Sequence, residues 1–146
     1  LVCGLGGSGY AASEMAFRRM RLGLQIQSVT DSQVIQMAAA VADEDCLMIA
    51  ISLSGNTQTI TEAIRIAKSR GAGVVLITAN REAEIDCDVV LYTAISRNLD
   101  QGIAISPQFP ILVLTDVFYG YYFKNDTKIK RQRYHMTLET LNKKKS

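Results

Sequence analysis

The stretch Cys46-Leu-Met-Ile-Ala-Ile-Ser-Leu-Ser-Gly-Asn-Thr57 decides the fold. Its first six residues are apolar throughout, as in a strand buried on both faces. The next six hold three hydroxyls, a glycine and an asparagine, and helical spacing follows at Ile60, Ala63, Ile64 and Ala67. A strand feeding a helix through a short polar turn is the repeating unit of a parallel sheet. At that junction, unpaired N–H groups and the positive end of the helix dipole favour an anion. One helix needs one N-cap, so Ser52, Ser54 and Thr57 exceed what capping requires. Gly55 lets backbone approach a ligand closely, or simply turn. The pattern suits a phosphate held by hydrogen bonds without a fixed cation, and the absence of GK[ST] excludes a P-loop.

Similar units lie on either side. Leu1–Leu5 reads as a strand and Gly6-Gly-Ser-Gly9 as its turn. The helix after it runs to about Leu22, with Ala12, Met15, Ala16 and Met20 on one face. Arg18, Arg19 and Arg21 lie in its last turn, where cations suit the dipole. Gln25–Val29 is a short strand, and Asp31 or Ser32 caps a helix to Ala42. The helix after Thr57 runs to Arg70 and stops at Gly71. Strands follow at Gly73–Thr78 and Asp88–Tyr92, then a loop from Thr93 to Ile105. Ser106-Pro107 reads as an N-cap and first-turn proline for a helix to about Phe123. A last helix spans about Thr127 to Leu141. The expectation is α/β: a three-layer αβα, flavodoxin-like doubly wound domain with five parallel strands ordered 2-1-3-4-5. Residues 1–123 form that domain, and residues 124–146 a basic helical tail packing on or extending it. In this order the first and third strands are neighbours, so the 6–9 and 52–57 loops face one crevice.

At 146 residues, 48% hydrophobic and 21% charged, the chain suits one soluble domain of ordinary composition. No apolar run approaches the roughly 20 residues of a membrane span, and no signal peptide is visible, so no membrane association is expected. The chain opens on Leu1, already inside a strand, which reads as a piece of a longer protein whose upstream part is missing. Residues 1–123 carry 8 Lys and Arg against 12 Asp and Glu, whereas residues 124–146 carry 8 against 2. A basic tail ending in Lys143-Lys-Lys145 can touch nucleic acid, but a solvated helix is the simpler reading. Cys3, Cys46 and Cys87 show no CxxC or Cys/His spacing. They read as free thiols in a reducing cytoplasm, with no metal site.

Gly4-Leu-Gly-Gly-Ser-Gly9 matches G-x-G-x-x-G, and Asp31 near the end of the second strand is placed for a ribose hydroxyl. A nicotinamide cofactor is disfavoured on two grounds. The chain has no room for a separate substrate domain, and dinucleotide binding does not need the second polar loop. No cofactor is expected.

Gly6-Gly-Ser-Gly9, Asp31, Ile51-Ser-Leu-Ser-Gly-Asn-Thr57, Ala67-Lys68 with Gly71-Ala72, and Leu76-Ile-Thr78 resemble the sugar isomerase (SIS) domain of phosphosugar-binding proteins. With Thr30-Asp-Ser32, the chain most resembles the sugar-sensing half of RpiR-type bacterial transcription regulators. The resemblance implies that Ser52, Ser54, Thr57 and the backbone of Gly55 and Asn56 hold a phosphate. It also implies that Gly7 and Ser8 approach the sugar, and that Ser106 matches a serine often carried there. It further implies a homodimer or higher oligomer, and DNA contact only through a missing N-terminal helix-turn-helix domain.

Aldose–ketose isomerisation needs a base to move a proton between carbons and an acid to open the ring. Related isomerases take a glutamate from the region after the fifth strand and often a histidine. Here Asp100 is the sole carboxylate between Val89 and Ile105, and His135, in the basic tail, is the sole histidine. Glu14, one turn into the first helix, is the other candidate base. No residue is therefore assigned as catalytic, and a sensor is favoured over the alternative, a cytoplasmic phosphosugar isomerase.

Overall fold

A computed structural model of the protein describes residues 1–94 and 106–142. Five parallel strands form one sheet: β1 (Val2–Gly4), β2 (Ser28–Val29), β3 (Leu47–Ile51), β4 (Gly73–Thr78) and β5 (Val89–Tyr92), in the order β2-β1-β3-β4-β5. Five helices connect or follow them: α1 (Gly7–Met20), α2 (Ser32–Ala40), α3 (Gln58–Ser69), α4 (Phe109–Lys124) and α5 (Thr127–Asn142). The expected doubly wound order is thus present. Asp100, most of the expected Thr93–Ile105 loop and Lys143–Lys145 lie outside the described residues.

Alternation along the strands divides the core in two. Cys3, Met48, Ala50, Val74 and Leu76 pack with Ile35 and Ala39 of α2 and with Ile60, Ala63, Ile64 and Ala67 of α3. Val2, Ile51 and Ile77 pack on the opposite face with Ala11, Ala12, Met15 and Ala16 of α1 and Ile111 of α4. Each fully buried Leu, Ile or Met contributes about 1.5–3 kcal/mol relative to exposure.

Two local expectations need correction. The second strand is Ser28–Val29 rather than Gln25–Val29, because pairing with β1 involves only two residues, Val2↔Ser28 and Cys3↔Val29. Ser106 does not cap the late helix. It opens a turn in which Phe109 N–H donates to Ser106 O (3.0 Å), and the helix starts at Phe109 with Gln108 in the cap position. The proline of its first turn is Pro110, not Pro107. A Pro-initiated turn and a Pro-initiated helix start look alike in sequence, since both use φ near −65°.

α4 is apolar over most of its surface, with Asp116 its exposed carboxylate. Ile111 is buried, yet Phe109, Val113, Val117 and Tyr121, four residues apart, are exposed. α5 folds against the end of α1, where the Arg21 guanidinium stacks 4.0 Å over Tyr134 and donates to the Thr137 hydroxyl (3.1 Å). Among the described residues no helix is long and apolar enough to cross a membrane.

Candidate functional site

The strand register builds the site. Ile51 lies opposite Gly4 on one side and Ile77 on the other. The segments leaving β1, β3 and β4 therefore emerge side by side, about 4.8 Å apart, at the carboxyl edge of the sheet. Gly4 permits the first of them to turn tightly. A Cβ there would stand 2.7 Å from Ser8 O, so α1 can start directly over β1 only if residue 4 is glycine.

The 52–57 loop is fixed from within and from β4. Ser52 N–H donates to Ile77 O (3.0 Å), extending the ladder by one residue. Its buried hydroxyl pairs with Thr57 Oγ1 (3.1 Å). Gly55 N–H closes the turn on Ser52 O (3.1 Å). Gly55 itself has φ +67°, and a Cβ there would lie 2.7 Å from the Cβ of Ala83. The position thus demands glycine for both conformation and space. The Thr78 hydroxyl and Ala79 N–H both donate to Leu53 O (3.2 and 3.1 Å). The Asn80 carboxamide donates to Ser54 O (2.9 Å).

Against this rigid frame, the start of α3 has no side-chain cap. Thr57 has cap-like backbone angles, φ −70° and ψ 105°, but no side-chain hydrogen bond caps the helix. Its hydroxyl meets Ser52 instead. Ser54, exposed, accepts from Asn56 N–H (3.2 Å), which leaves its own O–H proton to donate. In the Ser52–Thr57 pair Ser52 donates, which leaves the Thr57 O–H proton available. Together with the first-turn N–H groups, these donors converge on one helix N-terminus. Asn56 is exposed at the tip.

The neighbouring loop contributes Gly7 and Ser8, both half-buried at the start of α1, which also lacks a side-chain cap. Gln108 lies over Gly7, where a Cβ would overlap its carboxamide. Ser106 holds that carboxamide: its hydroxyl donates to Gln108 Oε1 (2.5 Å), and Gln108 N–H donates to Ser106 Oγ (3.3 Å). Ser106 thus meets the Gly7 loop through Gln108. The fold therefore gathers Ser52, Ser54, Gly55, Asn56 and Thr57 on one loop, Gly7 and Ser8 on the adjacent one, and Ser106 behind Gln108. Sequence reasoning missed Asn80 and Gln108. A polar Thr78-Ala-Asn80 run closing an apolar strand was an available signal for Asn80; none marked Gln108.

The other polar candidates are placed differently. The Asp31 Oδ1 atom accepts from Gln33 and Val34 N–H (2.9 and 3.0 Å), so Asp31 caps α2. Glu14 is exposed on α1 in a groove shared with Arg18, Gln108 and Asp116. His135 is exposed on α5, edge-on to Tyr134. A cleft of about 830 Å³ between α3 and residues 84–86 flanks Gly55 and Asn56. Its cations Arg65 and Lys68 are paired with Glu62 (2.6 Å) and Asp88 (2.5 Å). Those pairs draw the Glu62 and Asp88 carboxyls below their ordinary range, and the hydrogen bond from the partner is the largest cause in each.

The family profile of the SIS domain matches residues 1–116. The Bacillus subtilis HTH-type transcriptional regulator YbbH is 34% identical over 119 residues, which cover 80% of this chain and 42% of YbbH. The chain therefore spans about two-fifths of that relative's length. Among solved structures, the Vibrio vulnificus NanR protein complexed with ManNAc-6P superposes with a TM-score of 0.85 at 22% identity, covering 96% of this chain and 53% of NanR. The sugar isomerase domain of the RpiR transcription factor from Sphaerobacter thermophilus superposes with a TM-score of 0.78 at 18% identity, covering 94% and 76%. At such identities the two structures establish likeness of fold.

Proposed function

The chain belongs to the SIS domain family, and on that premise we propose that it is the phosphosugar-sensing domain of a bacterial transcription regulator. One observation carries the reading: three hydroxyls crowd the start of α3, and none of them caps the helix. An anionic group accepting from Ser54 Oγ, the Ser52–Thr57 pair and the first-turn N–H groups supplies the missing cap. The sugar then extends toward Gly7, Ser8 and Ser106 at the adjacent loop. Similarity to YbbH and the relation in fold to NanR with ManNAc-6P support a sugar phosphate as ligand and DNA as an indirect target. DNA contact belongs to a helix-turn-helix unit preceding these residues in the whole protein. Residues 1–123 are the sensing domain and 124–146 its basic extension, and the whole works in the cytoplasm.

The exposed Phe109, Val113, Val117 and Tyr121 stripe supports a homodimer formed through α4, since a contiguous apolar stripe of this length is normally covered. A ligand that favours one dimer arrangement then changes the spacing of attached DNA-binding units.

Calorimetry with a panel of sugar phosphates, ManNAc-6P included, tests the reading. Binding is expected for a phosphorylated sugar and lost or strongly weakened for its dephosphorylated form and in Ser54→Ala. Equal affinity for the dephosphorylated sugar would remove the phosphate from the 52–57 loop.

A further inference from the structure

α5 takes no part in the ligand loops. It lies at the end of α1 opposite Gly7, where Arg133 donates to Leu22 O (3.5 Å) and Arg21 to the Thr137 hydroxyl (3.1 Å). Its cations divide between two faces. Lys130 is buried, donates to Tyr122 O and sits 3.7 Å over the Tyr122 ring. With Arg133 it fixes the helix to the body. Lys128, Arg131, Gln132 and His135 are exposed at helical spacing, and with Thr127 they line a shallow concave surface of about 610 Å³.

A frayed, solvated tail would not be held so firmly: the Arg21 guanidinium also stacks 4.0 Å over Tyr134 in the middle of the helix. The outward charge is uncompensated as well. α5 carries four Lys and Arg against Glu139 alone, and none of the ion pairs among the described residues includes them. Residues 1–123 hold an excess of carboxylates, 12 Asp and Glu against 8 Lys and Arg, yet those pairs all lie elsewhere. Like charges three or four residues apart, such as Lys128 and Arg131, destabilise a free helix, and a polyanion laid along them reverses that effect. From Lys128 to His135 the face runs about 10 Å, a length over which duplex DNA presents about six phosphate charges. Lys128 and Arg131 supply charge, and Gln132 and His135 supply hydrogen-bond donors. This is the mixture that contacts phosphate oxygens without reading bases. DNA is favoured over an anionic membrane because the chain is similar to the HTH-type transcriptional regulator YbbH.

We propose that the exposed face of α5 carrying Lys128, Arg131 and His135 is a second, sequence-independent contact with the phosphate backbone of duplex DNA. Base reading stays with the helix-turn-helix unit. The inference rests on the reading of the chain as part of a DNA-binding regulator, and it uses none of the ligand loops. Fluorescence anisotropy of the 146-residue chain with a random-sequence duplex of about 20 base pairs tests it, over salt from about 50 to 200 mM. Log affinity should fall against log salt with a slope of about −2, or about −0.9 for each phosphate neutralised. Lys128→Gln and Arg131→Gln should each reduce the slope by about 1, and together lower affinity at low salt about tenfold. Arg131→Lys should keep the slope. Arg65→Gln, on α3 and paired with Glu62, should change neither slope nor affinity. An unchanged slope in the double variant, or an equal loss in Arg65→Gln, would make the attraction a matter of net charge and overturn the proposal. Binding to phosphatidylserine vesicles with none to DNA would overturn it too. Phosphosugar calorimetry on the same samples separates the two readings. A chain that binds phosphosugar but no DNA overturns this contact alone, whereas one that binds DNA but no phosphosugar keeps the contact and overturns the sensing reading.

Discussion

Two helices of this molecule begin in opposite ways. α2 starts on Asp31, whose carboxylate takes two first-turn N–H groups and completes the helix end. α3 starts amid Ser52, Ser54 and Thr57, any of which has the chemistry to cap, and none does. The difference lies in what holds each loop. Asp31 is exposed and free to fold back on its own backbone. The 52–57 loop is bound to β4 through Thr78, Ala79 and Asn80, and Gly55 is wedged against Ala83. A helix end can remain open toward a ligand when other contacts fix its geometry.

Breaking the frame should have the largest effect. Gly55→Val places a branched side chain at positive φ against Ala83, a strain of about 1–3 kcal/mol before the clash is counted. Phosphosugar affinity should fall below detection by calorimetry while circular dichroism still reports an α/β fold. Retained affinity would mean that the loop shape does not matter. The next effect separates the two helix ends. Ser54→Ala should weaken ligand binding by about 1–3 kcal/mol with little change in melting temperature. Asp31→Ala should cost about 1 kcal/mol of stability and leave affinity unchanged. Matched calorimetry and thermal unfolding check the pair, and identical profiles for both variants would erase the distinction. NMR of a bound aldose or ketose phosphate should show no proton exchange between C1 and C2, as the sensing reading requires. Turnover would make the site an isomerase.

The smallest effect concerns pH. Asp88 accepts from Lys68 Nζ (2.5 Å) and Val74 N–H (2.7 Å), and these bonds hold its carboxyl below the ordinary range, the Lys68 bond foremost. A depressed folded-state pKa adds stability above the unfolded value, and that stability fades as pH falls from about 4 through the folded value. Asp88 is exposed and Lys68 only half-buried, so solvent screens the pair and the loss should be slight. Melting temperatures of the protein and Asp88→Asn should converge below pH 4; constant separation would place the stabilisation elsewhere.

Much of this was legible in sequence for a physical reason. Cys46–Ile51 and Gly73–Thr78 are long, uniformly apolar and followed by helix or turn signals, so their place in a parallel sheet needed no tertiary information. The crowd of hydroxyls at 52–57 was likewise visible as an excess over capping. What stayed hidden depends on contacts between distant segments. The short span of β2 is set by its pairing with β1. The start of α4 is set by a Ser106 turn that propensity alone confuses with a cap. Asn80 and Gln108 gain their roles only when β4 and α4 arrive beside the ligand loops.

α1 joins two places that otherwise share no residue. Its first residue, Gly7, lies under Gln108 at the candidate ligand loop, and Arg19, one residue from its end, is buried where it donates to Thr115 O of α4. Fourteen helical residues make a stiff rod of about 20 Å. The loop that holds Gly7 and the buried guanidinium of Arg19 are thus one helix apart, joined by a single packed element.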